Sequence, residues 1–194
     1  MGWGIKSSLR NCYEYLLKRR CPAVRRWIWN DTTQYGEFQT LWSLADRRRR
    51  GTVVEVGAND GIFCSNSYPF IERGWKGVLI EPNPLIYSRL EELHQRRDAV
   101  KMFNLACGST EGSLPLYMGK DGQSGYATLS SEHSWWYNAT RSDHKVVVSV
   151  VRLERILDEA SCPEDFDILS VDTEGFDYEV LCGLNLARYR PKVI

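Results

Sequence analysis

Between Gly51 and Cys107 the chain alternates short apolar runs with helical segments, and no other feature constrains its fold as strongly. Thr52-Val53-Val54-Glu55-Val56 is β-branched and nearly without polar faces, then runs into Gly57-Ala58-Asn59-Asp60-Gly61. A run of this kind reads as a strand buried on both faces of a parallel sheet, ending in a glycine turn. A helix is expected over residues 67–73, stopped by Gly74, and a second strand over 77–81, closed by Pro82. Asn83 offers a helix N-cap and Pro84 suits the first helical position. Leu85, Ile86, Leu90 and Leu93 give that helix its apolar face, and residues 100–107 read as a third strand. This β-α-β-α-β order predicts an α/β fold, a doubly wound and mostly parallel Rossmann-like sheet.

Later segments extend the pattern. Residues 114–118 and 145–151 read as strands, joined by a polar connection over 119–144. Phe166-Asp167-Ile168-Leu169-Ser170-Val171 reads as a core strand ending at Asp172. Residues 177–182 form a short helix with Gly183 as its C-cap candidate, and 190–194 open another strand. With 194 residues, the chain holds one such domain, over 51–194, preceded by a basic helical extension over 1–50.

Charge separates the two parts. Residues 1–50 hold eleven Lys/Arg against four Asp/Glu, and the remainder reverses the excess, so the net charge is zero. A basic head on an acidic body does not fit a wholly basic nucleic-acid binder. In the head, Ile5, Leu9, Tyr13, Leu16 and Leu17 recur at helical spacing, and Trp27 and Trp29 follow among arginines. Such a helix could make peripheral contact with an anionic membrane. Packing of its apolar face on the domain is the preferred reading, and the head is expected to be dispensable for cofactor binding. Residues 47–50, four arginines, read as a solvated helix end where cations suit the helix dipole.

The six cysteines, Cys12, Cys21, Cys64, Cys107, Cys162 and Cys182, form no CxxC pair. No secretory signal and no apolar run of about 18 residues is present. The chain therefore reads as cytoplasmic, with reduced and mostly buried thiols. The sequon at Asn138 then reads as chance.

Three motifs carry chemistry. Gly57 and Gly61 let a ligand approach the backbone at the carboxyl end of a strand, where doubly wound sheets bind ligands. Glu81 ends the second strand and can accept hydrogen bonds from both hydroxyls of an adenosine ribose. Asp172 and Glu174, two residues apart at a strand end, project to one side. They could bind a cationic group, hold a metal or accept a proton, and one could cap the next helix. No histidine, cysteine and aspartate cluster has metal-ligand spacing, so no metal is expected. His133 beside Trp135-Trp136-Tyr137 is a further candidate base, and 119–144 a candidate acceptor loop. His94, near a helix end, is expected to face solvent. The turn is neither GxGxxG nor followed by Gly-Lys-Ser/Thr, which disfavours a dinucleotide oxidoreductase and a P-loop.

Taken in order, Val54-Glu55-Val56-Gly57-Ala58-Asn59-Asp60-Gly61, Ile80-Glu81-Pro82-Asn83-Pro84, Asn104-Leu105-Ala106 and Asp167 through Gly175 resemble the FkbM-type methyltransferase family. Glu179-Val180-Leu181 and Arg190-Pro191-Lys192-Val193-Ile194 continue the resemblance. It implies a class I methyltransferase fold and S-adenosylmethionine as cofactor. It implies O-methylation of a hydroxyl on a sugar, glycan or natural product, a small-molecule or glycan acceptor rather than nucleic acid. Carried over, Glu55, Gly57, Asn59 and Gly61 cradle the methionine end. Glu81 holds the ribose with Asn83 beside it, and Leu105 and Ala106 line the adenine. Asp172 and Glu174 face the reactive centre, near the methionine amine or the acceptor, and the base is Asp172, Glu174 or His133. The sequence stops inside a strand that the family continues, so the sheet is expected to be C-terminally incomplete. The alternative function is therefore a curtailed module that binds cofactor or partner without catalysis.

Overall fold

The computed structural model describes residues 31–119, 127–130 and 141–194. The apolar periodicity of residues 5–17, Trp27, Trp29, Cys12, Cys21, His133, Trp135-Trp136-Tyr137 and the Asn138 sequon lie outside the described residues.

The described elements are α1 (Phe38–Leu44), β1 (Thr52–Val56), α2 (Tyr68–Ile71), β2 (Lys76–Ile80), α3 (Pro84–His94), β3 (Val100–Phe103), β4 (Ala106–Cys107), β5 (Gly112–Gly119), β6 (Arg141–Val151), α4 (Leu153–Glu159), β7 (Ile168–Val171) and α5 (Asp177–Cys182). The central sheet is parallel, in the order β3-β2-β1-β7. Its register sets Val54 beside Val78 and Leu169, and Val56 beside Ile80 and Val171. Because side chains alternate across a strand, the sheet feeds two cores. Val54, Val56, Val78 and Ile80 meet Leu153, Ile156 and Leu157 of α4 and Val180 of α5. Val53 and Leu79 meet Phe38, Phe70, Trp75 and Leu90 on the other face. Helices therefore cover both faces, as doubly wound sheets require.

A smaller sheet, β4-β6-β5, stands beside the first. Its arms β5 and β6 pair antiparallel from Gly112↔Val150 to Gly119↔Arg141, so strand structure reaches into what reads as a polar connection. Residues 100–107 are not one strand. The side chain of Asn104 donates to the carbonyls of Glu81 and Pro82, at 2.9 and 3.3 Å. The chain leaves the central sheet there, and β4 pairs with β6 instead. Residues 190–194 make a single parallel bridge, Ile168↔Val193, rather than a strand.

Other local expectations shift. Asn83 Oδ1 accepts from the Leu85 amide at 3.1 Å and caps α3. The buried face of α3 is Ile86, Leu90 and His94, while Leu85 is exposed. His94 is thus buried rather than solvated, and neither ring nitrogen has a hydrogen-bond partner. Burial pulls its pKa down to about 4, so it is neutral. Helix α1 stops at Leu44, and Asp46 and Arg47 take left-handed backbone conformations. The four arginines therefore lie in the turn past the helix, not in its last turn. Gly183 does cap α5, with a right-handed φ of −82°. Glycine is needed there because a Cβ would collide with the Gly108 carbonyl. Of the four described cysteines, all free thiols, only Cys107 is buried and Cys182 is exposed.

Residues 31–50 join the domain. Phe38 is fully buried, stacks on Trp42 at 5.6 Å and meets the edge of Phe70 at 5.1 Å. Arg73 lies 4.3 Å from the centre of the same ring, a cation–π distance. Among the described residues no helix is long and apolar enough to cross a membrane.

Candidate functional site

The four parallel strands end along one edge. Strand order places Asn104, Glu81, Gly57 and Asp172 in a row there, each one residue past β3, β2, β1 and β7, with Leu105 following Asn104. Neighbouring strands are about 4.8 Å apart, so the row spans roughly 14 Å.

Gly57 turns the chain at the end of β1 with a φ of 86°. Its amide and that of Ala58 both donate to the Ile80 carbonyl, at 2.9 and 3.0 Å. A Cβ on Gly57 would run into the Asp172 carbonyl, so β1 and β7 can close only on glycine. Gly61 also has a positive φ, 80°, but faces Leu90, Leu93 and His94 of α3. It shapes the turn and does not line the cleft described below.

Glu81 is held at both oxygens. The Asn59 amide donates to Oε2 at 2.9 Å and the Asn83 amide to Oε1 at 2.8 Å. Asn59 reaches this position through a left-handed φ of 52°, a conformation that asparagine tolerates better than most residues. Burial nevertheless outweighs the two amides and raises the Glu81 pKa to about 7.

Glu55 is also buried, but its partners lie within the fold. Ser65 Oγ and Ser67 Oγ donate to Oε2 at 2.8 and 2.5 Å, and the Asn66 amide donates to Oε1 at 2.6 Å. Glu55 thereby ties the 65–67 loop to β1. Burial raises its pKa as well.

Asp172 is partly buried, and burial followed by the charge of Asp177 raises its pKa. Asp177 Oδ1 accepts from the amide and hydroxyl of Thr173, at 2.8 and 2.7 Å, which fixes the turn after Asp172. Glu174 follows with a φ of 54°, and its carbonyl accepts from Thr128 Oγ1 at 2.7 Å. That bond ties residue 128, inside the expected acceptor loop, to the carboxylate turn.

These residues border one cleft whose mouth is open to solvent. Glu55, Gly57, Asn59, Glu81, Asn83, Leu105, Ala106, Asp172 and Glu174 all line it. Ile86, Leu116, Ala127 and Leu129 make its apolar wall, and Phe63, Cys64 and Phe176 its remaining walls. Gln34 reaches it from outside the motif-bearing region. Ile86 was within reach of sequence reasoning, as the apolar residue three past Asn83. Gln34 and Phe63 carry no such signal. Four carboxylates and no Lys or Arg occur among the described lining residues.

The buried carboxyl predicts a pH dependence of stability. Between its unfolded value of about 4.5 and about 7, folded Glu81 keeps a proton that the unfolded chain has lost. Stability therefore falls as pH rises through that window, by about 1.4 kcal/mol per unit. His94 acts in the opposite sense. Between about 4 and 6.5 the unfolded chain holds a proton that buried His94 lacks, so stability rises with pH. The two slopes oppose each other up to about pH 6.5. Glu81→Gln removes only the first, and should gain stability relative to the wild type as pH rises from about 5 to about 7. Urea melts of both proteins across that range check it; parallel curves would contradict the buried carboxyl.

A comparison with curated proteins finds no match. Residues 55–194 match the family model for the methyltransferase FkbM domain, which begins at the buried glutamate of β1 and takes in every strand end of the cleft. With the parallel β3-β2-β1-β7 sheet and this cleft on its carboxyl edge, the chain belongs to the FkbM methyltransferase domain family.

Proposed function

We propose that this methyltransferase uses S-adenosylmethionine and transfers its methyl group to a hydroxyl oxygen of a sugar, glycan or natural product. The observation that carries the reading is Glu81. It is a buried carboxylate, held at both oxygens by backbone amides, at the strand end beside Gly57. A carboxylate so placed can accept from two vicinal ribose hydroxyls, since each oxygen keeps a further lone pair. Leu105, Ala106 and Ile86 on the β3 side suit a flat apolar base. Asp172 and Glu174 on the β7 side suit an ammonium and a sulfonium. The donor set therefore fits an adenosine carrying a cationic amino-acid tail.

When bound, that cofactor supplies a methyl group already activated on sulfur. The chain's part is alignment and proton removal. Gly57 lets the backbone approach the ligand, and Glu55 braces the loop beside it. A carboxylate at the cleft would take up the proton that the acceptor hydroxyl gives up on methylation. With the ammonium on one of the pair Asp172 and Glu174, the other suits that role; partial burial and Asp177 raise the proton affinity of Asp172.

Thermal shift with S-adenosylmethionine, S-adenosylhomocysteine and NAD tests the cofactor. A ligand at a hundred times its dissociation constant stabilises by about 2.7 kcal/mol, so the first two should raise the melting temperature. A shift with NAD alone would overturn the reading. Methyl transfer to hydroxyl but not amine acceptors tests the second half, and cofactor binding with no turnover on any hydroxyl would favour a binding module.

A further inference from the structure

We propose that Gln34, on a strap ahead of the family-matched region, donates a hydrogen bond to the carboxylate at the amino-acid end of the bound methyl donor. This rests on the S-adenosylmethionine reading above.

The strap is a built piece of structure. Asp31 Oδ1 accepts from the amide and hydroxyl of Thr33, at 3.1 and 2.5 Å. Thr33 Oγ1 accepts in turn from the amides of Gly36 and Glu37, at 3.1 and 2.8 Å. Asp31 and Thr33 are both buried. Thr33 pairs with Cys64 in a parallel bridge, and Thr32 Oγ1 donates to the Ser65 carbonyl at 2.8 Å. Ser65 Oγ donates to Glu55. The backbone on either side of Gln34 is therefore tied through Ser65 to β1, while Gln34 itself stays exposed at the cleft wall.

Position follows from the sheet. With Glu81 at the ribose and Leu105 at the base, the ligand's tail extends along the row toward Gly57 and Asp172. Cys64, paired with Thr33, leads into the loop whose Ser65 and Ser67 hydroxyls donate to Glu55 of β1 and whose Asn66 side chain donates to Ser170 of β7, so the strap lies at that end. Gln34 thus sits where the amino-acid tail ends.

Charge supplies the need. The tail carries an ammonium and a carboxylate. Asp172 and Glu174 attract the first and repel the second, and no Lys or Arg among the described lining residues offsets the repulsion. Several nearby backbone donors are already engaged: Gly57 and Ala58 donate to Ile80, and Asn59 to Glu81. Thr173 gives both its donors to Asp177. Asn59 and Asn83, the other lining amides, flank Glu81 at the ribose end. Among the described lining residues, Gln34 is a side-chain amide donor on the tail side.

Titration calorimetry on the full chain with S-adenosylmethionine and with its decarboxylated analogue tests the proposal. The analogue keeps the base, ribose, sulfonium and amine, and lacks only the carboxylate. Gln34→Ala should weaken S-adenosylmethionine about tenfold, the effect of one hydrogen bond to a charged group, and leave the analogue unchanged. Gln34→Glu should weaken S-adenosylmethionine further and tighten the analogue. Equal losses for both ligands, or none for either, would overturn the proposal. So would a lower melting temperature of the unliganded variant with equal losses, which marks a structural role. If the wild type binds neither ligand, the S-adenosylmethionine reading fails and the proposal falls with it.

Discussion

Glu81→Gln is expected to weaken S-adenosylhomocysteine binding by about ten- to a hundredfold at pH 8, more than Asp172→Asn does. Hydrogen bonds to a charged acceptor contribute about 1.5–3 kcal/mol each, and the proposed ribose contact makes two. Glutamine keeps the shape but turns one acceptor oxygen into a donor, facing either the Asn59 or the Asn83 amide. Asp172 would lose one contact, in a more open position. The wild type should also show a pH profile that the variant lacks. Only ionised Glu81 accepts from both hydroxyls, and its pKa of about 7 leaves it largely protonated in mildly acidic solution. Affinity should therefore rise with pH up to about 7 and level off above, with a limiting slope of about tenfold per unit on the acid side. Titration calorimetry from about pH 5.5 to 8.5 measures both effects. A flat wild-type profile, or an equal loss in Asp172→Asn, would remove Glu81 from the ribose.

Phe38→Ala should destabilise the protein by about 3–5 kcal/mol, the usual cost of emptying a buried phenylalanine site. The ring lies fully buried between Trp42, Phe70 and the Arg73 guanidinium. The surrounding sheet and helix cannot collapse into the space it would leave. Leu44→Ala, on the same helix but exposed, should stay within about 0.5 kcal/mol. Guanidinium melts compare the two. Equal, small effects would mean that α1 is peripheral. Deletion of residues 1–45 removes Phe38, Ala45 and the Gln34 strap together, so it should lower both stability and cofactor affinity. A dispensable basic head predicts no change instead; Phe38 and Ala45 in the core and Gln34 on the cleft wall favour the loss.

The central sheet was legible because its signals are local. A β-branched run such as Val53-Val54-Glu55-Val56, followed by a glycine that takes a left-handed turn without steric cost, reads as a buried strand. Asn83 and Pro84 start α3 by chemistry confined to a few residues. Parallel order then brings Glu81, Gly57 and Asp172 to one edge, because all carboxyl ends of a parallel sheet point the same way. Long-range contacts were beyond this reasoning. The break at Asn104 depends on carbonyls more than twenty residues earlier, at Glu81 and Pro82. His94 carries the polarity of a surface residue, yet α3 turns it inward against the Gly61 turn. Glu55 sits where a ligand contact is expected, and two serines and an amide that fold back from residues 65–67 take its oxygens. Gln34 lies some twenty residues before the first family motif and enters the cleft only because Thr33 pairs with Cys64. Local sequence determines which segments become strands and which residues stand at their ends. Which of those residues face a ligand, and what closes over them, is decided by contacts between segments that only the folded chain brings together.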